Sequence, residues 1–165
     1  YDKPAIALRL LREVVVGPDR FDPAFREYFR RWAYKHPTPA DFFRTIEDGV
    51  GEDLSWFWRG WFYSTAQLDQ AVDSIVLADS AGVESRIYLR NAGGIPMPVD
   101  LALLLDDGST KRVRLPVEIW MAGNHYVAVI PGPRKVNSVI LDPDGLYPDV
   151  VRPDNRWPRA PAGTP

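Results

Sequence analysis

The hydrophobic period of this chain changes near residue 66, and this change constrains the fold more than any other feature. Before it, apolar residues recur every three to four positions, which is typical of helices with one buried face. After about residue 70 they alternate with polar residues, which is typical of strands. All seven Phe residues precede residue 66, whereas 11 of the 16 Pro residues follow it. The sequence therefore predicts an α+β chain, helical over residues 1–66 and β-rich over residues 67–150.

Four segments of the helical part carry residues suited to helix ends. Their predicted bounds are 4–16, 22–32, 38–49 and 53–62. Pro4 and the pair Asp22-Pro23 are suited to first helical turns, and Thr38 begins a capping-box pattern. Gly17 and Gly49 are suited to helix ends because glycine adopts a left-handed backbone without strain. The helical part is thus predicted to contain four helices.

Large aromatic side chains lie on one face of the second and of the fourth predicted helix. The face of the second contains Phe25, Tyr28, Phe29 and Trp32, and that of the fourth contains Leu54, Phe57, Trp58, Trp61 and Phe62. Such a face could bind carbohydrate or peptide, or support a chaperone-like role, but helical spacing favours packing in a core. On the opposite side of the second helix, Glu27 lies one turn before Arg31, which predicts an ion pair.

Short alternating runs fill the β-rich part. The predicted strands cover residues 72–78, 85–91, 99–105, 113–117, 125–130 and 136–141. Asp107-Gly108 separates two of them and predicts a hairpin turn. Six or seven short strands in this length predict an immunoglobulin-like β-sandwich over 67–150. Residues 151–165 are rich in Pro and Arg and have no period, which predicts a tail that forms a covering strap or a frayed end.

Charge, apolar run length and cysteine content each exclude a class of partner or of chemistry. Lys and Arg number 20 against 22 Asp and Glu, and neither part of the chain is basic, so nucleic-acid binding is not expected. The longest apolar runs, such as Leu101–Leu105, are far shorter than the roughly 20 residues that cross a bilayer, so no membrane span is expected. Cysteine is absent, which excludes disulfides and thiolate chemistry.

The two histidines do not form a recognisable site. His36 and His125 lie in turns of different parts of the chain, and no H-E-x-x-H motif is present. Ser55 or Ser64 could be combined with His36 on paper, but no strained G-x-S-x-G turn exposes a nucleophile. We therefore expect no metal-binding or cofactor-binding residue in this chain.

Acidic residues form two local groups. The first, around Gly49 and Gly51, consists of Glu47, Asp48, Glu52 and Asp53, and we interpret it as a solvated loop that caps helices. In the second, Asp142-Pro143-Asp144-Gly145 precedes Asp149. This pattern could bind calcium, but a turn that closes the last strand is favoured because the dense oxygen spacing of a calcium loop is absent.

Taken in order, several motifs resemble those of the aminopeptidase N and leukotriene hydrolase family. Residues 1–12 resemble the segment in which Y-E-K-G precedes an apolar helix, although Asp2 and Pro4 replace its Glu and Gly. The later matching segments are Ala24–Phe29, Tyr34–Phe42, Gly51–Leu54 with Trp61, and Ile140–Asp144 with Asp149, Asn155 and Trp157. The resemblance covers nearly the whole chain and indicates a bacterial branch of the family.

The resemblance implies a zinc-dependent reaction and indicates which of its catalytic residues this chain would contain. In these gluzincin peptidases, zinc held by two His and a Glu activates water, and a tyrosine hydroxyl stabilises the oxyanion of the tetrahedral intermediate. By alignment that tyrosine is Tyr1. The zinc ligands and the loop that holds the peptide substrate would then lie upstream of residue 1. We expect a fragment that is inactive alone, from a parent enzyme in a bacterial periplasm or envelope.

A non-catalytic module is the alternative interpretation. In it the β-sandwich binds protein or carbohydrate and the helices form an adaptor. The two hypotheses differ in what they expect upstream of Tyr1, since only the peptidase requires H-E-x-x-H and a third zinc ligand there.

Overall fold

The chain forms two compact units, Tyr1–Thr65 and Ala66–Pro165. The structure, a computed structural model, describes residues 1–77 and 84–159. The first unit contains four α-helices and the second contains two antiparallel sheets, so the chain is α+β as predicted. Among the helices in these described ranges, none combines the length and the apolar content that crossing a membrane requires.

The helices of the first unit follow the predicted segments but differ at their ends. They are α1 (Asp2–Leu10), α2 (Pro18–Trp32), α3 (Pro39–Val50) and α4 (Ser55–Phe62), and residues Leu11–Val16 continue α1 as a π-helix. The predicted start of the second helix at Asp22 is wrong. Gly17, with a φ of 90°, ends the first helical run, and Pro18 begins α2 one residue later. Pro23 therefore lies inside the helix.

The predicted end of the third helix at Gly49 is also wrong. The helix continues to Val50, and Gly51 caps it with a left-handed φ of 71° while donating its N–H to the Glu47 carbonyl over 2.8 Å. Gly49 has a different role. A Cβ at Gly49 would lie 2.5 Å from the Cβ of Ala24, so glycine here permits α2 and α3 to approach closely.

Local hydrogen bonds confirm two of the sequence-based predictions for these helices. Thr38 and Asp41 form a reciprocal capping box, in which the Asp41 carboxylate accepts from the Thr38 N–H over 2.8 Å. That bond lowers the pKa of Asp41. On α2, Glu27 and Arg31 form the expected ion pair at 2.6 Å. These pairs are set by positions three and four residues apart, which explains why the sequence reveals them.

Aromatic side chains form the core of the helical unit. The rings of Phe43 and Trp58 are stacked with centroids 4.4 Å apart, and Phe57 and Trp61 are buried. The interpretation of the aromatic face of α4 as core is therefore confirmed, and the motive for a chaperone-like surface on that face is removed. On α2, by contrast, Phe29 is 56% exposed.

Over its described residues, the second unit contains seven strands in two sheets. The strands are β1 (Gln70–Leu77), β2 (Glu84–Asn91), β3 (Val99–Leu105), β4 (Thr110–Leu115), β5 (His125–Pro131), β6 (Val136–Leu141) and β7 (Arg156–Trp157). One sheet has the order β1-β2-β5 and the other has the order β4-β3-β6-β7, and every pairing is antiparallel.

The predicted strands agree with these bounds within a few residues. The predicted end of the first strand, Ala78, lies outside the described residues, as do residues 160–165 of the tail. The prediction that Val117 ends a strand is wrong, because Pro116 cannot donate to a ladder and a 3-10 helix, Val117–Trp120, follows it. Gly108, with a φ of 82°, forms the predicted turn and donates its N–H to the Leu105 carbonyl.

Buried residues from both sheets form one apolar cluster. Its members are Val72, Ile87, Leu89, Val99, Leu101, Leu103, Ile119, Trp120, Ala128, Ile130, Val136, Val139 and Leu141. Alternation explains this arrangement, because every second residue of each strand points to the same face. The burial of β3, which alternates over Val99–Leu103, follows this rule.

Replacing Phe57 by Ala should strongly destabilise the chain, because this side chain is 0% exposed and its removal leaves a cavity between aromatic rings. We expect the free energy of unfolding to fall by about 3–5 kcal/mol. Urea denaturation followed by tryptophan fluorescence measures the change. Phe29→Ala is the matched control and should cost less than about 1 kcal/mol. Equal losses in the two variants would contradict the assignment of Phe57 to the core.

Candidate functional site

Tyr1 lies at the start of α1 with its side chain fully exposed. Its carbonyl oxygen accepts from the Ala5 N–H over 3.2 Å, so the residue caps the first turn of the helix. Two residues later, the Lys3 ammonium donates to the carbonyl oxygens of Ser64 at 2.7 Å and of Gly60 at 3.5 Å. The first turn of α1 is thereby tied to the end of α4. The phenol projects from this tethered turn, and its role in oxyanion stabilisation stays a prediction.

Within the acidic group between α3 and α4, Glu47 links the two helices. The Glu47 Oε1 atom accepts two hydrogen bonds of 3.0 Å, from the Leu54 N–H and from the Trp58 indole N–H. Asp53 accepts from the Ser55 N–H over 2.8 Å, and Glu52 pairs with Arg20 at 2.6 Å. Glu47 and Asp53 thus accept from backbone N–H groups at the start of α4, whereas Glu52 and Asp48 pair with arginines of α2.

A groove beside that contact in the helical unit has the shape of a binding site. It has a volume of about 440 Å³. Its lining residues are Ala40, Phe43, Arg44, Glu47, Ser55, Trp58, Arg59 and Tyr63. Aromatic rings form its apolar wall, and the exposed guanidinium groups of Arg44 and Arg59 also line it. This combination suits a ligand with both apolar and anionic groups. The sequence analysis missed this groove because Arg44 and Arg59 are brought together only by the packing of α3 on α4.

The histidines and serines weighed in the sequence do not come together. His36 is exposed after α2, and His125 is exposed at the start of β5, where its Nδ1 lies 2.8 Å from the Asn124 Oδ1. The Ser64 hydroxyl donates to the Gly60 carbonyl over 2.7 Å. Within residues 1–77 and 84–159, no group of three metal-ligating side chains includes a histidine. These residues therefore do not fit a zinc ion of the peptidase type.

The turn after β6 confirms the structural interpretation of its aspartates. Asp142, with a φ of 48°, accepts from the Leu146 N–H at 2.8 Å and from the Tyr147 N–H at 3.0 Å. Burial raises the pKa of Asp142, and those two bonds oppose the increase. Asp144 is exposed and pairs with Arg112 at 2.8 Å. The two carboxylates thus hold a turn instead of sharing an ion.

Comparisons with known proteins point to one class of fold. No protein-family model and no curated protein match the chain. Among solved structures, it is similar to aminopeptidase A of Legionella pneumophila in complex with aspartic acid, with a TM-score of 0.59 and 18% sequence identity. The similarity covers 79% of this chain and 15% of that chain. The chain therefore has an aminopeptidase-like fold and spans a small part of the length of that neighbour.

Removing the Glu47 carboxylate should destabilise the contact between α3 and α4. Glu47→Ala leaves the buried Leu54 N–H and Trp58 indole N–H without their acceptor, and we expect a loss of about 1–3 kcal/mol in the free energy of unfolding. Glu47→Gln retains an acceptor and should recover part of this loss. Asp48→Ala, which removes a neighbouring exposed carboxylate, is the control. If Asp48→Ala costs as much in urea denaturation, the buried bonds are not the cause.

Proposed function

We propose that the chain is part of a zinc-dependent aminopeptidase of the aminopeptidase N and leukotriene hydrolase family, a gluzincin. Residues 1–66 would form the helical end of a thermolysin-like catalytic domain, residues 67–150 a β-sandwich domain, and residues 151–165 its tail. The observation that carries the proposal is the aminopeptidase-like fold over 79% of the chain. The ordered motifs, which begin at Tyr1 and continue to Trp157, support the same family.

The β-sandwich part of the proposal is supported by the single core that the two sheets share. Residues from the three-stranded and the four-stranded sheet belong to one apolar cluster. Two antiparallel sheets that share a core are the basis of immunoglobulin-like domains. In the proposed enzyme this domain serves as a structural companion of the catalytic domain.

Tyr1 would act as a hydrogen-bond donor to the oxyanion that forms when water attacks the scissile carbonyl. A fixed phenol O–H stabilises the transition state more than the substrate because the negative charge develops only there. The tether from Lys3 to the end of α4 supports this role, since it holds the turn that bears Tyr1. Within residues 1–77 and 84–159 no histidine belongs to a group of possible metal ligands, so the proposal places the zinc ligands and the peptide-binding loop upstream in the same polypeptide. On this proposal the isolated chain has no peptidase activity.

In the proposed parent polypeptide, Tyr1→Phe should lower kcat for an aminoacyl anilide by roughly a hundredfold to a thousandfold. The zinc content, measured by elemental analysis, should stay the same because Tyr1 is not expected to bind the metal. Tyr34→Phe is the matched control, since Tyr34 is another fully exposed phenol of the helical unit and has no proposed role. Its kcat should be unchanged.

Two results would contradict the proposal at different levels. Unchanged turnover in Tyr1→Phe would remove Tyr1 from the mechanism. The absence of H-E-x-x-H and of a third zinc ligand upstream would remove the peptidase activity itself. In that case the alternative, a non-catalytic module, would stand, and the groove lined by Arg44 and Arg59 would be a candidate binding surface of its helices.

A further inference from the structure

The first turn of α1 has little apolar packing to hold it in place. Of residues 1–5, all of which the structure describes, Lys3 is half-buried and the other four are exposed. The first buried side chain of α1 is that of Ala7, in the second turn. Helix ends open readily where few buried contacts hold them. The position of the first turn therefore depends on its polar contacts.

The strongest of these contacts is made by Lys3 with the end of α4. The Lys3 ammonium donates to the Ser64 carbonyl over 2.7 Å and to the Gly60 carbonyl over 3.5 Å, across 61 and 57 residues of sequence. The last four carbonyl groups of a helix have no amide partner within it, and the helix dipole favours a cation beside them. The Lys3 ammonium meets both requirements, so it joins two helices that are distant in sequence.

The geometry of this contact suits lysine better than other residues. An ammonium group carries three donors on a flexible four-carbon stem, so it can reach two separate carbonyl oxygens. The planar guanidinium group of arginine is shaped for the two oxygens of one carboxylate or phosphate. Methionine has a similar length and no donor. Arginine should therefore preserve part of the contact at this position, and methionine none of it.

We propose that Lys3 is a positioning residue for the Tyr1 hydroxyl. This inference rests on the proposed function, in which that hydroxyl donates to the oxyanion. Because the Tyr1 side chain is fully exposed, only the backbone of the first turn sets where the phenol lies. A catalytic donor stabilises the transition state only from a fixed position, and a misplacement of about 1 Å can cost on the order of a hundredfold in rate. Lys3 supplies the fixed position and does not touch the substrate.

Amide hydrogen exchange of the 165-residue chain, followed by NMR, tests the tether without enzyme activity. The Ala5 N–H donates to the Tyr1 carbonyl and reports on the first turn. In Lys3→Met it should exchange at least about threefold faster, because the turn opens more often. The Phe21 N–H, which donates to the Gly17 carbonyl over 3.0 Å, is the internal reference and should not change.

Arg9→Met is the matched control for this measurement, because it removes an exposed cation from the last turn of the same helix. The Ala5 exchange rate should stay the same in this variant. Unchanged Ala5 exchange in Lys3→Met would overturn the proposal, since the tether would then not hold the turn.

Kinetics of the proposed parent polypeptide test the consequence for catalysis. Lys3→Met should lower kcat for an aminoacyl anilide roughly tenfold and change KM less than about twofold, because the donor acts in the transition state. The zinc content should stay the same, and Lys3→Arg should recover part of the loss. In the Tyr1→Phe background, Lys3→Met should lower kcat by less than a further factor of about two, because no phenol O–H is left to position.

Two kinetic results would overturn the proposal for different reasons. Equal losses of kcat from Lys3→Met in the two backgrounds would mean that Lys3 acts through general stability or through its own charge. If Tyr1→Phe alone leaves kcat unchanged, the proposed role of Tyr1 fails and the positioning role of Lys3 fails with it. The exchange of the Ala5 N–H distinguishes these cases from loss of the tether, since it does not depend on activity.

Discussion

The stacking of Phe43 on Trp58 is the contact on which the helical unit depends. α4 contains eight residues, and isolated helices of this length are not stable in water. Its aromatic face is held against α3 by this stack and by the Glu47 carboxylate, which accepts from the Trp58 indole. The same packing brings Arg44 and Arg59 to one groove and places the end of α4 where Lys3 reaches it. The position of the turn that bears Tyr1 thus follows from an aromatic contact far along the chain.

In the second unit, carboxylates differ in whether hydrogen-bond donors reach their buried oxygens. Asp142 is buried at the turn after β6, and two backbone N–H groups satisfy it, so its cost is met inside the turn. Asp69 and Asp154 each keep a buried oxygen that no described donor reaches.

Features set by neighbours in sequence could be predicted, and features set by contacts between segments could not. The capping box of Thr38 and the pair Glu27–Arg31 depend on spacings of three and four residues, and both were predicted correctly. The end of α3 was placed wrongly, because the reason for Gly49 is Ala24 on another helix. The groove and the bond from Lys3 to Ser64 were missed for the same reason. Their members come from segments that helix packing brings together, and no local pattern marks them.

The sequence by itself determined the α+β composition, the change from helices to strands near residue 66, and most of the turns, because hydrophobic period and turn chemistry act over a few residues. It also contained the motifs that resemble an aminopeptidase, and the fold of the described chain agrees with that class. Only the tertiary structure decided which carboxylates are satisfied and which are not. Hydrogen-bond satisfaction depends on donors from distant segments, such as the Gln70 N–H that fixes Asp149. The tether from Lys3 to Ser64 likewise exists only after the helices have packed.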